Sequence, residues 1–267
     1  MRSHRISFTV ALTGISRALL LRDRVLGRVH PVVEEHTGPI TVERHRIPSG
    51  KNVLDAVWVR PSPGQPPPKA TILICHGIGE TVEYWLPVQK ILAASGAASL
   101  VFDYSGYGRS TGRIDARQCE DDAIAAFAFL QELAPGTGIA MLGFSLGSGI
   151  AAAVIGRVPA SRLVLCAGFT SFRAAAHSVG VPARISKFIP RLFWQAEESL
   201  RDCRIPILVV HGDRDRLFPV RMAAELAACC GAEERIVPNL RHAEPYYRPQ
   251  LAFWGPIVDW IERPRRR

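Results

Sequence analysis

The chain has 267 residues, 48% hydrophobic and 21% charged, with six cysteines and a formal net charge of +9. That length and apolar content can fill one large core, and the composition excludes wholesale disorder. The charge sits at the ends, net +5 over residues 1–30 and net +3 over 262–267, leaving the body near +1. A nucleic-acid binder would instead write a basic groove across its folded body, so no nucleic-acid partner is expected.

Residues 5–28 read RISFTVALTGISRALLLRDRVLGR, with Phe8, Ala11, Leu12, Ile15, Ala18 and Leu19 at helical spacing and Arg17 interrupting the run. The apolar stretch is too short and broken for a spanning helix, and no A-x-A site marks a cleaved signal peptide. Three readings of residues 1–30 stay open: a helix packed on the body, a targeting segment, or an interfacial helix giving peripheral membrane association. The third draws on Arg22, Arg24 and Arg28, since each basic residue near an anionic surface contributes about 1 kcal/mol. The body is expected to be a single domain over 31–262, followed by a basic tail at 263–267.

ITVERHRI (40–47) and NVLDAVWVR (52–60) alternate as half-buried strands do, and Pro48-Ser49-Gly50-Lys51 reads as the turn of an antiparallel pair. PSPGQPPPK (61–69) is a proline-rich surface connection. The pattern then changes: TILICHG (71–77), ASLVFDYSG (98–106), GIAMLGFS (138–145), SRLVLCAGF (161–169) and PILVVHGD (206–213) are apolar runs without alternation. Such runs suit strands covered on both faces of a parallel sheet. ERIVPN (234–239) is a weaker sixth. Helical segments at 83–94, 118–133, 147–157, 220–230 and 247–262 lie between them, which gives an α/β sheet with helices on both sides.

In such a sheet, functional residues collect at the carboxyl ends of the strands. Those ends hold His76 to Gly79, Asp103, Ser145, Thr170-Ser171, His211 to Asp215 and, after the last strand, His242. Acyl transfer asks for this set: a serine needs an imidazole to take its proton, and the imidazole needs a carboxylate. The oxyanion needs two backbone N–H donors. Gly143-Phe144-Ser145-Leu146-Gly147 fits the G-x-S-x-G nucleophile elbow between a strand and a helix. Alone, one such match decides nothing. Leu146 N–H at the helix N-terminus is the expected first oxyanion donor, and Ile78 N–H in HGIGE the second. The acid is expected after PILVVHG, and the base is His242.

The pieces HGIGE, FDYSGYGRSTG, GFSLGSG, HGDRD with its following FP, and LRHAEPY, in the chain order Ser145, Asp215, His242, resemble the α/β-hydrolase superfamily. The likeness covers about residues 40–262, in the branch of serine-aminopeptidase-like and lysophospholipase-like hydrolases with little or no cap. It implies a mostly parallel eight-stranded sheet whose first strands are antiparallel, and a Ser145–His242–Asp215 triad. In the family's H-G-x-x-D pattern the acid is Asp215, with Asp213 the alternative. His76 and His211 read as structural histidines bonding loop backbone, His177 as a surface or packing residue, and Asp103 as a tie within its own loop.

No metal or cofactor is expected: His242-x-Glu244 has no zinc-spaced partners, and the cysteines form neither a zinc nor a disulfide spacing. Thiols of that kind belong in a reducing compartment, so the expected location is the cytoplasm, with its membrane surface as the alternative. The short segment after AGFTS (167–171) has room for two short helices and leaves a shallow site. Tyr84, Trp85, Phe172, Phe193 and Trp194 are candidate walls for it, with plain core packing equally open for each. The expected activity is hydrolysis of a carboxylic ester, thioester or amide through an acyl-serine. Acyl transfer on the same triad, and membrane-associated lipid or acyl-protein hydrolysis, are the alternatives. The substrate is expected to be a small-molecule or lipid acyl compound, and the oligomeric state is not legible.

Overall fold

The structure, a computed structural model, describes residues 39–182 and 194–264. The expectations for residues 1–30, for Phe193 and for the last three residues of the tail lie outside these segments.

Strands β1 (Ile40–Ser49) and β2 (Asn52–Pro61) pair antiparallel along their whole length, Ile40 opposite Pro61 and Ser49 opposite Asn52. Then follow β3 (Ala70–Cys75), β4 (Ala97–Phe102), β5 (Ile139–Phe144), β6 (Arg162–Cys166), β7 (Ile207–Gly212) and β8 (Glu233–Val237). The sheet order is β1-β2-β4-β3-β5-β6-β7-β8, antiparallel through the β2–β4 pairing and parallel from β4 to β8. This is the mostly parallel eight-stranded sheet, antiparallel at its start, that the family resemblance implies.

Eight α-helices occur among the described residues: α1 (Val82–Ala94), α2 (Ala116–Leu133), α3 (Leu146–Val154), α4 (Phe172–Ser178), α5 (Ala196–Leu200), α6 (Arg221–Cys230), α7 (Glu244–Tyr247) and α8 (Leu251–Glu262). The single helix expected over 247–262 is broken at Arg248-Pro249-Gln250. Pro249 has no N–H to continue the ladder, and its ring drives Arg248 out of the helical region, to φ −128° and ψ 65°.

The central strands lack alternation because both faces are covered. Ile72, Ile74, Leu142 and Val164 point to the layer of α1 and α8, where Trp85, Leu92, Trp254 and Ile257 meet them. Leu73, Met141, Leu163 and Val209 point to the opposite layer, against Phe127 of α2, Ile150 of α3 and Leu226 of α6. Each fully buried side chain of this size contributes about 1.5–3 kcal/mol. β8 stands at the edge and its residues are exposed or half-buried, which explains its weak apolar signal. No helix among the described residues is long and apolar enough to cross a membrane.

Because β3 and β5 to β8 run parallel, their carboxyl ends share one edge of the sheet. The chain passes from β3 outward to β4 and returns to β5, so the loops after β3 and β5 diverge and leave a crevice between them.

Candidate active site

The turn from β5 into α3 is made by one residue. Ser145 has φ 52° and ψ −116°, a conformation that costs a non-glycine residue about 1–3 kcal/mol. Its surroundings hold it there: Ser145 N–H donates to Cys166 O at 3.0 Å, while Ser148 N–H (3.0 Å) and Oγ–H (2.6 Å) donate to Ser145 O. The glycines on either side permit the close approach. A Cβ on Gly147 would overlap the Cys75 carbonyl oxygen, and one on Gly143 would lie 2.5 Å from Gly147 O. The result is a serine 4% exposed, aimed out of the sheet end.

Ser145 Oγ lies 2.9 Å from His242 Nε2, and His242 Nδ1 lies 2.7 Å from Asp215 Oδ2. Facing a carboxylate, Nδ1 carries the proton, which leaves Nε2 to accept from Ser145 Oγ–H. Phe144 and Phe218 flank the imidazole, with ring centroids at 5.5 and 5.1 Å. Asp215 Oδ1 accepts from the amides of Leu217 (2.8 Å) and Phe218 (2.9 Å), and Oδ2 also lies 3.3 Å from His211 Nε2. Burial would raise this carboxyl, but His242 and His211 hold it well below the ordinary carboxylate range. His211 Nε2 is also 3.0 Å from Phe218 O, so His211 braces the acid loop. Asp213, the alternative acid, is exposed in the same loop. Glu244, next to His242, accepts Arg241 N–H at 2.7 Å and so shapes the histidine loop.

Ile78 and Leu146 border the cleft beside Ser145. Among the described residues neither amide has a backbone acceptor in the turns and loops around it. His76 and Asp103 lie beneath the loop that carries Ile78. His76 Nδ1 donates to Gly77 O at 2.8 Å, and Asp103 Oδ1 accepts Val82 N–H at 2.8 Å. His177 is exposed at the end of α4. No group of three or more His, Cys, Asp or Glu suited to a metal ion occurs among the described residues.

Apart from Ser145 the cleft is lined by apolar residues, Phe169, Phe172, Ala175, Val179, Leu217 and Phe218 joining Ile78 and Leu146. It is a slender slot. Of the aromatic residues expected as walls, Phe172 lines it. Trp194 does not: it is buried behind Phe172, ring centroids 5.4 Å apart, and donates Nε1–H to Glu120 at 3.2 Å. Trp85 is a core residue, fully buried between Phe144, Tyr246 and Trp254, because its position on α1 faces the sheet. Tyr84, one position earlier, turns outward and is 54% exposed. Leu217 and Phe218 were not among the walls read from the sequence, although their place two and three residues after Asp215 was the available signal. Phe169, Ala175 and Val179 gave no such signal.

Comparison with known proteins bears on the fold and on sequence likeness. The family described as serine aminopeptidase, S33, matches residues 66–193. Uncharacterized protein Rv2307c of Mycobacterium tuberculosis is 29% identical over 227 residues, 78% of this chain and 78% of its own. Lysophosphatidylserine lipase ABHD12 of Danio rerio is 24% identical over 256 residues, 82% of this chain and 66% of its own. Among solved structures, the esterase Pf2001 of Pyrococcus furiosus aligns with TM-score 0.65 at 17% identity, over 88% of this chain and 97% of that one. XC6422 of Xanthomonas campestris, described as a serine hydrolase without lid, aligns with TM-score 0.61 at 16% identity, over 85% and 94%. At such identities the structures speak for the fold. The chain thus has the α/β-hydrolase fold of these structures and is similar in sequence, over residues 66–193, to the family described as serine aminopeptidase, S33.

Proposed function

We propose that the chain hydrolyses carboxylic esters of slender apolar acyl groups through an acyl-Ser145 intermediate. The observation that carries this reading is the unbroken relay from Asp215 through His242 to Ser145, at 2.7 and 2.9 Å, ending on a strained and outward-facing serine.

In this reaction Ser145 Oγ bonds to the ester carbonyl carbon while His242 Nε2 takes its proton. The carbonyl oxygen, now an oxyanion, is held by the N–H groups of Leu146 and Ile78. Collapse breaks the bond to the leaving alcohol, which takes the proton from Nε2. Water then attacks the acyl carbon as Nε2 removes its proton, and the second collapse frees the acid and reprotonates Ser145. Asp215 stays ionised throughout, keeping the Nδ1 proton in place and stabilising the imidazolium.

The apolar slot beside Ser145 supports an aliphatic or slim aromatic acyl group. A lipid ester is a second reading, favoured by that lining together with a relative named as a lysophosphatidylserine lipase. Peripheral membrane binding through residues 1–30 would serve such a substrate. A chain lacking those residues that binds anionic liposomes as well as the full chain does would remove this part of the reading. Acyl transfer would use the same steps with an alcohol or amine in place of water, and product analysis with added acceptors distinguishes it.

A p-nitrophenyl ester series tests the acyl reading. Each methylene seated in the slot is worth about 0.8 kcal/mol, so kcat/KM should rise about fourfold per carbon over the first few carbons. A flat or falling profile from acetyl to butyryl would reject the slot as the acyl site.

A further inference from the structure

We propose that His76 and Glu80 are positioning residues for the Ile78 amide, an inference that rests on the hydrolase reading above. The peptide concerned joins Gly77 to Ile78. Its carbonyl is Gly77 O and its N–H is the one assigned to the oxyanion. The loop belongs to no strand or helix, so no ladder of hydrogen bonds sets the direction of this peptide.

His76 supplies that direction. Its Nδ1–H donates to Gly77 O at 2.8 Å. A peptide is planar, so fixing where its carbonyl points also fixes where its N–H points. Accepting a bond at the carbonyl also polarises the amide and makes its N–H a better donor. Burial pushes the imidazole down to about 4, which keeps the ring neutral with its single proton on Nδ1.

Glu80 holds the neighbouring peptide. Its Oε2 accepts Gly77 N–H at 2.8 Å and Trp85 Nε1–H at 2.7 Å, the second bond tying the carboxylate to the core. The approach is close: a Cβ on Gly77 would lie 2.5 Å from Glu80 Oε1. Tyr104 O–H donates to His76 O at 3.1 Å, so the loop is fixed on both sides of Gly77. His76 and Trp85 are wholly buried and Glu80 is 6% exposed, so water does not compete for these bonds. The Ile78 N–H is therefore aimed before substrate arrives.

The test compares wild type with His76→Leu, His76→Asn and Glu80→Leu. It measures p-nitrophenyl butyrate turnover, the rate of fluorophosphonate labelling and the thermal midpoint. The asparagine amide nitrogen stands close to where Nδ1 stood and still donates to Gly77 O, whereas leucine has no donor. Misplacing one oxyanion donor predicts a 30- to 100-fold fall in kcat for His76→Leu, roughly, with KM held within about threefold. His76→Asn should recover to within about fivefold of wild type, and Glu80→Leu, which removes the oxygen that both donors share, should lose about tenfold.

A folded His76→Leu with kcat within twofold of wild type, or a folded His76→Asn as impaired as His76→Leu, overturns the positioning role while leaving the hydrolase reading intact. If His76→Leu does not fold, wild-type turnover by a folded Glu80→Leu overturns it. A wild-type chain that neither hydrolyses the ester nor takes the label removes the hydrolase reading, and this inference falls with it.

Discussion

Replacing Asp215 with asparagine removes one charge from the site and changes little in shape. In the native chain the carboxylate faces four N–H donors: Leu217 and Phe218 amides on Oδ1, and His242 and His211 on Oδ2. Asparagine offers one acceptor oxygen. If that oxygen keeps the two loop amides, its NH₂ group faces His242 and forces the proton from Nδ1 to Nε2. An imidazole protonated at Nε2 has no lone pair for Ser145 Oγ–H. A tautomer fault of this kind costs about 10⁴ in kcat, near 5.5 kcal/mol. The assay is p-nitrophenyl butyrate turnover alongside thermal unfolding, with Asp213→Asn as comparison. Asp213 is exposed, and its loss should change kcat by less than about twofold. The two measurements also separate in pH. Because the folded carboxyl titrates below its unfolded range, the stability it contributes is present above about pH 4 and lost as pH falls further. Asp215→Asn should therefore be less stable than wild type at pH 7, by on the order of 2–3 kcal/mol, with the gap narrowing as pH falls below about 4. If Asp213→Asn is the more damaged enzyme, Asp215 is not the acid.

Other consequences concern the elbow, the loop beneath it and the slot. Gly147→Ala should cost about 3 kcal/mol or more, read by chemical denaturation, because the new methyl meets the Cys75 and His76 carbonyls and must push α3 off β3. Asp103 is 1% exposed, and burial raises its carboxyl to about 6. Since the folded value exceeds the unfolded one, this group's stabilising effect is present below about pH 4 and lost as pH rises to about 6, by roughly 2–3 kcal/mol. Asp103→Asn, which keeps an acceptor for Val82 N–H, should flatten that part of the stability–pH curve and raise the thermal midpoint at pH 8. An unchanged curve would refute it. Ala175→Phe narrows the slot and should lower kcat/KM for octanoyl esters about tenfold or more, while acetyl esters change by less than about threefold. Equal losses on both would place the acyl chain elsewhere.

Strand positions were legible because burial on two faces and on one face leave different patterns, so ITVERHRI and TILICHG could be told apart. The order of the strands was not legible from those patterns. Nothing in the apolar runs says that β4 lies outside β3, and that exchange is what opens the crevice. That Ser145 and His242 stand after strands was legible in the runs, whereas the choice of Asp215 over Asp213 came from the resemblance to the H-G-x-x-D pattern. The slot walls were not, because an aromatic residue on a helix looks the same whether it faces core or cleft. Tyr84 and Trp85 are neighbours on α1, yet one is exposed and the other fully buried. Glu80 stands in HGIGE as an ordinary acidic residue, and only its bonds to Gly77 and Trp85 distinguish it.

The most direct test of the acyl-serine mechanism is covalent capture of the nucleophile. A fluorophosphonate probe followed by peptide mass analysis should place one adduct per chain on Ser145. Labelling and ester turnover should vanish together in Ser145→Ala, with the thermal midpoint unchanged within a few degrees. His242→Ala should slow both by about 10³-fold or more, since the two residues act as a unit. An adduct on another residue, or ester turnover by Ser145→Ala at the wild-type rate, would contradict the mechanism.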